Sequence, residues 1–249
     1  MNKISQLLST ETPLIAVGFA DKTSSSVISD GVKHGVDVAE LRIDLYSSFE
    51  HDYVLNEVAK YSQLPTIATI RLKDEGGKWH GTEQERLLLF KAIVPKVDAI
   101  DIELAATEIL PEIVRVAKRE DKMVFVSYHN FKSTPGVSEL NDIAKKAKAL
   151  GADLIKIATT AKNQKDLQTL ASFTIENSKL GLVTISMGAK GVASRLFFPA
   201  LGSRLTYAYV GQCSAPGQLT FDETFLLLRK LYPEFNQKKI SDLELLEYA

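Results

Sequence analysis

Two side chains could carry chemistry between them. Lys156 interrupts the apolar run GADLIKIATT over residues 151–160, and His129 closes the run MVFVSYH over residues 123–129. Burying an ammonium without a partner is so costly that the group usually sheds its proton. The flanking Leu154, Ile155, Ile157 and Ala158 therefore predict a neutral amine at position 156. Such an amine attacks ketones and aldehydes to form an imine, an electron sink once protonated. A histidine, whose ordinary pKa lies near neutral pH, can take a proton from the adjacent carbon and return it to a departing hydroxyl. Together they imply aldol cleavage, decarboxylation or β-elimination of water from a keto compound, and the residue types leave that choice open.

Such groups need elements to hold them. Short β-branched runs alternate with longer amphipathic segments, the pattern of parallel strands joined by crossover helices. The predicted strands are LIAVGFA (14–20), VAELRID (38–44), TIATIR (66–71), AIDIEL (99–104), MVFVSYH (123–129), DLIKIA (153–158), GLVTISM (181–187) and LTYAYV (205–210). Helical patterns such as TEQERLLLFKAIVPK and VSELNDIAKKAKALG lie between them, the second ending at Gly151, where a helix C-terminus favours glycine. Eight such repeats in 249 residues have the count and size of a single-domain (β/α)8 TIM barrel, whose reacting groups sit at the C-terminal ends of the strands. The other candidate, a doubly wound open sheet, lacks a G-x-G-x-x-G motif after its first strand. The last stretch, YPEFNQKKISDLELLEYA, reads as a polar connection into one terminal helix.

Alternate strand residues share a face, so Glu40, Arg42 and Asp44 point the same way, as do Asp101 with Glu103, Lys156 with Leu154, and His129 with Ser127. If the opposite set packs under the helices, these charges point into the barrel, where branched apolar side chains are usual. Asp101 and Glu103 read as a buried ion-pair network supporting the barrel. Arg71 ends the third strand and enters LKDEGGKWHG, a polar, glycine-containing loop that reads as mobile and able to close over a ligand. MGAKGVASR and CSAPGQ follow strands seven and eight, where glycine-rich loops often hold a phosphate in this fold. Arg195 and Gln218 in those loops would suit a carboxylate equally well.

Thirty basic and 31 acidic residues leave a formal charge of −1, without long like-charge runs, so no nucleic-acid partner is expected. The single cysteine, Cys213, excludes an internal disulfide and reads as a small packing residue. No stretch is apolar enough to span a membrane, and MNKISQLLSTETP lacks the apolar core of a signal peptide. A cytoplasmic protein without a membrane partner is the expectation.

Seven strings, in order over residues 14 to 231, carry a resemblance: ELRIDL, IRLKDEGG, DIEL, VSYHNFKSTP, DLIKIA, SMGAKGVASRL and SAPGQ. The chain resembles the type I 3-dehydroquinate dehydratase family, the imine-forming dehydratases of the shikimate pathway. The resemblance implies that Lys156 forms the imine with the C3 ketone of 3-dehydroquinate. His129 then takes the C2 proton and protonates the departing C1 hydroxyl, giving 3-dehydroshikimate. By the same resemblance Arg195, Gln218 and Ser214 hold the substrate carboxylate and neighbouring hydroxyls, while Glu40, Arg42 and Arg71 bind the remaining hydroxyls and position the amine. Met187 and Tyr207 match apolar wall positions where the family often has Met and Phe, so the phenol is an addition. Glu75 matches a loop acid that assists the histidine. Gly18 stands where family members often carry Ser, which removes one hydroxyl contact to the substrate. The resemblance also implies a homodimer and no cofactor or metal. Two competing readings are a lysine-imine aldolase acting on a sugar phosphate and a barrel that binds a small acid without turning it over.

Overall fold

The computed structural model describes residues 2–10, 12–211 and 217–247. Its strands are β1 (Leu14–Phe19), β2 (Val38–Arg42), β3 (Thr66–Thr69), β4 (Ala99–Glu103), β5 (Met123–Asn130), β6 (Leu154–Thr160), β7 (Leu182–Met187) and β8 (Leu205–Ala208). They run parallel in the order β7-β6-β5-β4-β3-β2-β1-β8. All eight predicted strands are present, and the differences lie at their ends. β2 stops at Arg42 because Ile43–Leu45 winds into a 3-10 turn, whereas β6 runs on to Thr160 beside the extended β5.

The sheet closes at a seam between β7 and β8. There Arg204 N–H donates to the Leu182 carbonyl at 2.8 Å, and the buried Ser203 hydroxyl accepts from Thr184 N–H at 2.9 Å. A serine side chain thus completes the ring where a regular ladder is missing, which keeps these backbone groups satisfied.

The helices α1 (Lys3–Leu7), α2 (Ser25–Lys33), α3 (His51–Ala59), α4 (Glu83–Ile93), α5 (Leu110–Arg119), α6 (Val137–Ala149), α7 (Gln164–Glu176), α8 (Ser194–Phe197), α9 (Phe221–Leu231) and α10 (Pro233–Glu247) surround the strands. Capping boxes open α4, through Thr82 and Glu85, and α9, through Thr220 and Glu223. Gly151, at φ +96°, follows α6 as expected.

Strand alternation sorts the apolar residues into two cores. Ile15, Val17, Leu41, Ile100, Val126, Ile155 and Ile157 face the helices. Leu14, Ala16, Val38, Ile67, Ala99, Phe125, Leu154, Val183 and Leu205 fill the barrel interior. These interior residues lie in the N-terminal halves of their strands, and α1 packs Ile4 into the same cluster, stoppering the base. The C-terminal half of the interior is left for the charged residues.

The predicted polar connection before the terminal helix shrinks to one residue, since only Tyr232 separates the end of α9 at Leu231 from Pro233, where α10 begins. Its buried Lys239 donates to Asp37 Oδ1 at 2.6 Å and to the Gly35 carbonyl at 2.7 Å, while Asp37 Oδ2 accepts from Ile15 N–H at 2.9 Å. The ion pair therefore ties α10 to β1 and to the turn entering β2. Removing the cation leaves the buried Asp37 only the more distant Lys238, 3.9 Å away, so Lys239→Met should cost about 1 to 3 kcal/mol in urea unfolding. The double variant with Asp37→Asn should recover part of that loss.

Candidate active site

Six charged side chains meet inside the barrel mouth. Lys156 Nζ on β6 donates to Glu40 Oε1 on β2 at 3.0 Å and to Asp101 Oδ2 on β4 at 2.9 Å. Asp101 Oδ1 lies 2.8 Å from Arg71 Nη2, and the Ser127 hydroxyl donates to it at 2.6 Å. Arg71 Nη1 donates to Glu103 Oε1 at 3.0 Å and to Ser127 Oγ at 2.6 Å. Glu103 also accepts from Arg86, which reaches in from α4. Thr69 Oγ1 donates to Glu40 Oε1 at 3.1 Å. Lys156, Arg71 and Arg86 are thus matched by Glu40, Asp101 and Glu103, which is what permits charge in a low-dielectric interior.

The expectation of a neutral Lys156 is overturned. Burial alone would lower its pKa, but the Asp101 and Glu40 carboxylates outweigh burial and hold it well above the usual lysine range. The resting group is an ammonium. Burial would likewise raise Asp101, yet Arg71 and Lys156 pull it well below the usual carboxylate range. Asp101 is therefore a partner of the lysine as well as part of the supporting network, a role that sequence reasoning missed. No signal in the sequence places Asp101 beside Lys156, because β4 and β6 are separated by β5 in the sheet.

His129, two residues beyond Ser127 on β5, faces the same space. Its Nδ1 lies 2.8 Å from Glu75 Oε2, and its backbone N–H donates to that same oxygen at 2.9 Å. Burial, with Arg71 and Lys156 nearby, drives the imidazole well below its ordinary pKa. Burial pushes Glu75 up to about 7 against the pull of Arg71.

Glu75 reaches the histidine because the loop after β3 is folded on itself, where the sequence reads as a mobile segment. Leu72 pairs with Trp79, residues Lys73–Glu75 form a 3-10 turn, and Gly77 presses on the Arg71 carbonyl, where a Cβ would sit 2.0 Å from the oxygen. Asp44 secures both sides: its carboxylate takes two hydrogen bonds from Arg42, each 2.9 Å, and one from Lys78 N–H at 3.1 Å. Across the mouth, Arg195 is buried, with Nε donating to the Gly217 carbonyl at 2.7 Å and Nη1 to the Tyr207 carbonyl at 3.2 Å. Gln218 donates to the Ala208 carbonyl at 3.0 Å.

One pocket is lined by Glu40, Arg42, Arg71, Glu75, His129, Lys156, Met187, Arg195, Tyr207 and Gln218. Every site residue expected from the sequence is among them except Ser214, which, like Cys213, lies outside the described residues. Among the described residues no cluster of His, Cys, Asp and Glu could hold a metal ion. The glycine-rich turn after β7 serves packing, since Gly191 sits against the Ser186 carbonyl.

The model of the type I 3-dehydroquinase family matches residues 14–234. The chain belongs to that family. It is 40% identical over 195 residues to the 3-dehydroquinate dehydratase of Methanococcoides burtonii, covering 77% of this chain and 83% of that one. It is 36% identical over 208 residues to the enzyme of the same name from Thermodesulfovibrio yellowstonii, covering 83% and 90% respectively. The crystal structure of the type I 3-dehydroquinate dehydratase of Clostridium difficile with covalently modified comenic acid superposes with a TM-score of 0.80. Its identity is 30%, and the match covers 90% of this chain and 93% of that one.

In this type I 3-dehydroquinase the charge on Lys156 depends on its carboxylates, Asp101 foremost. Asp101→Asn should therefore lower the pH at which the lysine titrates, as followed by 15N NMR of the side-chain amine. An unmoved titration would contradict this account.

Proposed function

We propose that this chain is a hydro-lyase that dehydrates 3-dehydroquinate to 3-dehydroshikimate through an imine on Lys156, the third step of the shikimate pathway. The observation that carries the reading is a buried lysine and a half-buried histidine on adjacent strands, opening on one pocket, with the histidine oriented by a carboxylate.

Glu75 Oε2 accepts from both the backbone N–H and the ring of His129. That assigns the imidazole hydrogen to Nδ1 and leaves the Nε2 lone pair toward the pocket. A base so placed can remove the C2 proton once the iminium at C3 draws electrons from it. The same nitrogen, now protonated, hands its hydrogen to the C1 hydroxyl as that group departs. Arg195, fixed by two backbone carbonyls, presents a rigid fork to the substrate carboxylate. Glu40, Arg42 and Arg71 surround the remaining hydroxyls. The Clostridium difficile relative was crystallised with covalently modified comenic acid, which supports a reading in which this family does covalent chemistry.

The reading extends to a cytoplasmic homodimer, for which the exposed Phe197, Leu226 and Leu231 on α8 and α9 offer apolar surface. No helix among the described residues is long and apolar enough to cross a membrane.

Borohydride reduction in the presence of 3-dehydroquinate should add the reduced substrate to the peptide containing Lys156, and mass mapping that finds no adduct there would sink the imine. His129→Ala should still be trapped yet lose roughly 10²- to 10⁴-fold in dehydration. A barrel that only binds the acid would be thermally stabilised by it without any growth of enone absorbance.

The pH profile follows from Glu75. As pH falls through about 7 its carboxyl takes up a proton and can donate to Nδ1, which shifts the ring hydrogen to Nε2 and removes the base. The turnover rate should therefore fall on the acid side of neutrality. Glu75→Gln, which keeps an acceptor but does not titrate, should move that limb to lower pH. An unshifted limb in the variant would exclude Glu75 as its source.

A further inference from the structure

Asp44 is buried at the mouth of the barrel, two residues beyond Arg42, in the 3-10 turn that follows β2. The turn folds its carboxylate back onto the Arg42 guanidinium. Oδ1 accepts from Nε and Oδ2 from Nη2, each at 2.9 Å. That leaves the Nη1 hydrogens and one on Nη2 for a ligand, and Arg42 lines the same pocket as Lys156 and His129. Oδ2 also accepts from Lys78 N–H at 3.1 Å, in the loop after β3.

That loop is gripped near its two ends by two carboxylates. Glu103 accepts from Leu72 N–H at 3.0 Å where the loop leaves β3, and Asp44 takes Lys78 where it returns. The turn Lys73–Glu75 lies between these points, and from it Glu75 Oε2 meets the backbone and ring of His129. Next to Lys78, the Trp79 ring packs 4.8 Å from that of Phe49. A buried ion pair adds little net stability, but a bidentate one fixes direction. An arginine held in this way loses little rotamer freedom when a hydroxyl docks on it.

We propose that Asp44 is a positioning residue for both halves of the site: its one carboxylate aims Arg42 at the substrate and seats the loop that brings Glu75 to His129. The proposal rests on the dehydratase reading given above. Asp44 is not among the residues that line the pocket, so it acts through Arg42 and Glu75. Its two tasks separate by substitution. Asp44→Asn keeps the volume and one acceptor. With that oxygen in the place of Oδ2 it still serves Lys78 N–H, while the amide nitrogen faces Arg42 Nε, donor against donor. Asp44→Ala removes both contacts.

Asp44→Asn should raise KM about tenfold, as a charge-assisted fork is lost, and leave kcat within about threefold. Asp44→Ala should raise KM likewise and lower kcat at least about tenfold. Because that second loss runs through Glu75, adding Glu75→Ala to Asp44→Ala should cost less than about threefold in kcat, whereas Glu75→Ala in the wild-type background should cost at least about tenfold. Trp79 is the single tryptophan of the chain and is buried. Acrylamide quenching of its fluorescence, read without substrate, should therefore increase in Asp44→Ala and stay at the wild-type level in Asp44→Asn.

Losses of kcat that simply multiply in the double variant would mark Asp44 as structural and overturn the proposal, as would a Trp79 still protected in Asp44→Ala. Should Asp44→Ala fail to fold, an unchanged KM in Asp44→Asn overturns the proposal by itself. Each of these results leaves the dehydratase reading standing. A wild-type chain that does not turn over 3-dehydroquinate would instead remove that reading, and the proposal with it.

Discussion

The ammonium of Lys156, clamped between Glu40 and Asp101, is the contact around which the barrel mouth is arranged. A lone ammonium at that depth would lose its proton, and a lone pair of carboxylates would gain one. Together they stay charged, and each further partner extends the neutralisation outward: Arg71 on Asp101, Glu103 on Arg71, Arg86 on Glu103. The chain of alternating charge runs from β6 through β4 and β3 to α4. It links Lys156 Nζ mechanically to a helix on the outside of the barrel.

Strand alternation made the inward charges readable from the sequence, because period-2 geometry depends only on local order. It could not say what those charges face. The apolar neighbours of Lys156 suggest a neutral amine, but Ile155 and Ile157 point to the helices and say nothing about the lysine's own side. What surrounds Nζ comes from β2 and β4, distant in sequence. The role of Asp101 was hidden for the same reason. The loop after β3 misled differently: paired glycines suggest mobility, yet Gly77 is there because the chain doubles back onto Arg71 with no room for a side chain.

The barrel divides along its axis into a part that packs and a part that holds the charged pocket. Leu14, Ile67, Phe125 and Leu205, sealed by Ile4, give the lower interior a dry, inflexible floor. Such a floor lowers the local dielectric and strengthens every ionic contact above it. It also leaves the upper side chains few alternative rotamers, so that Lys156 and His129 are aimed by packing as well as by their polar partners.

A resting ammonium changes how the labour of the proposed reaction is shared. A neutral lysine would need a proton source for the departing ketone oxygen, and His129 would be the nearest candidate. That would require His129 to begin as an imidazolium, which burial and its cationic neighbours oppose. Once one N–H bond of the ammonium has broken to free the lone pair that attacks the ketone, its hydrogens leave with the water, so the histidine enters the proposed elimination unprotonated. The opposite displacements of the two groups, Lys156 above its ordinary range and His129 below, have different leading causes, carboxylates for the lysine and burial for the imidazole. The carboxylates that raise the lysine face it directly, while the cations they balance stand beside the imidazole and discourage it from charging. The clamp on the lysine and the burial of the imidazole thus prepare the two groups for the proposed reaction, one as a store of protons and the other as an acceptor.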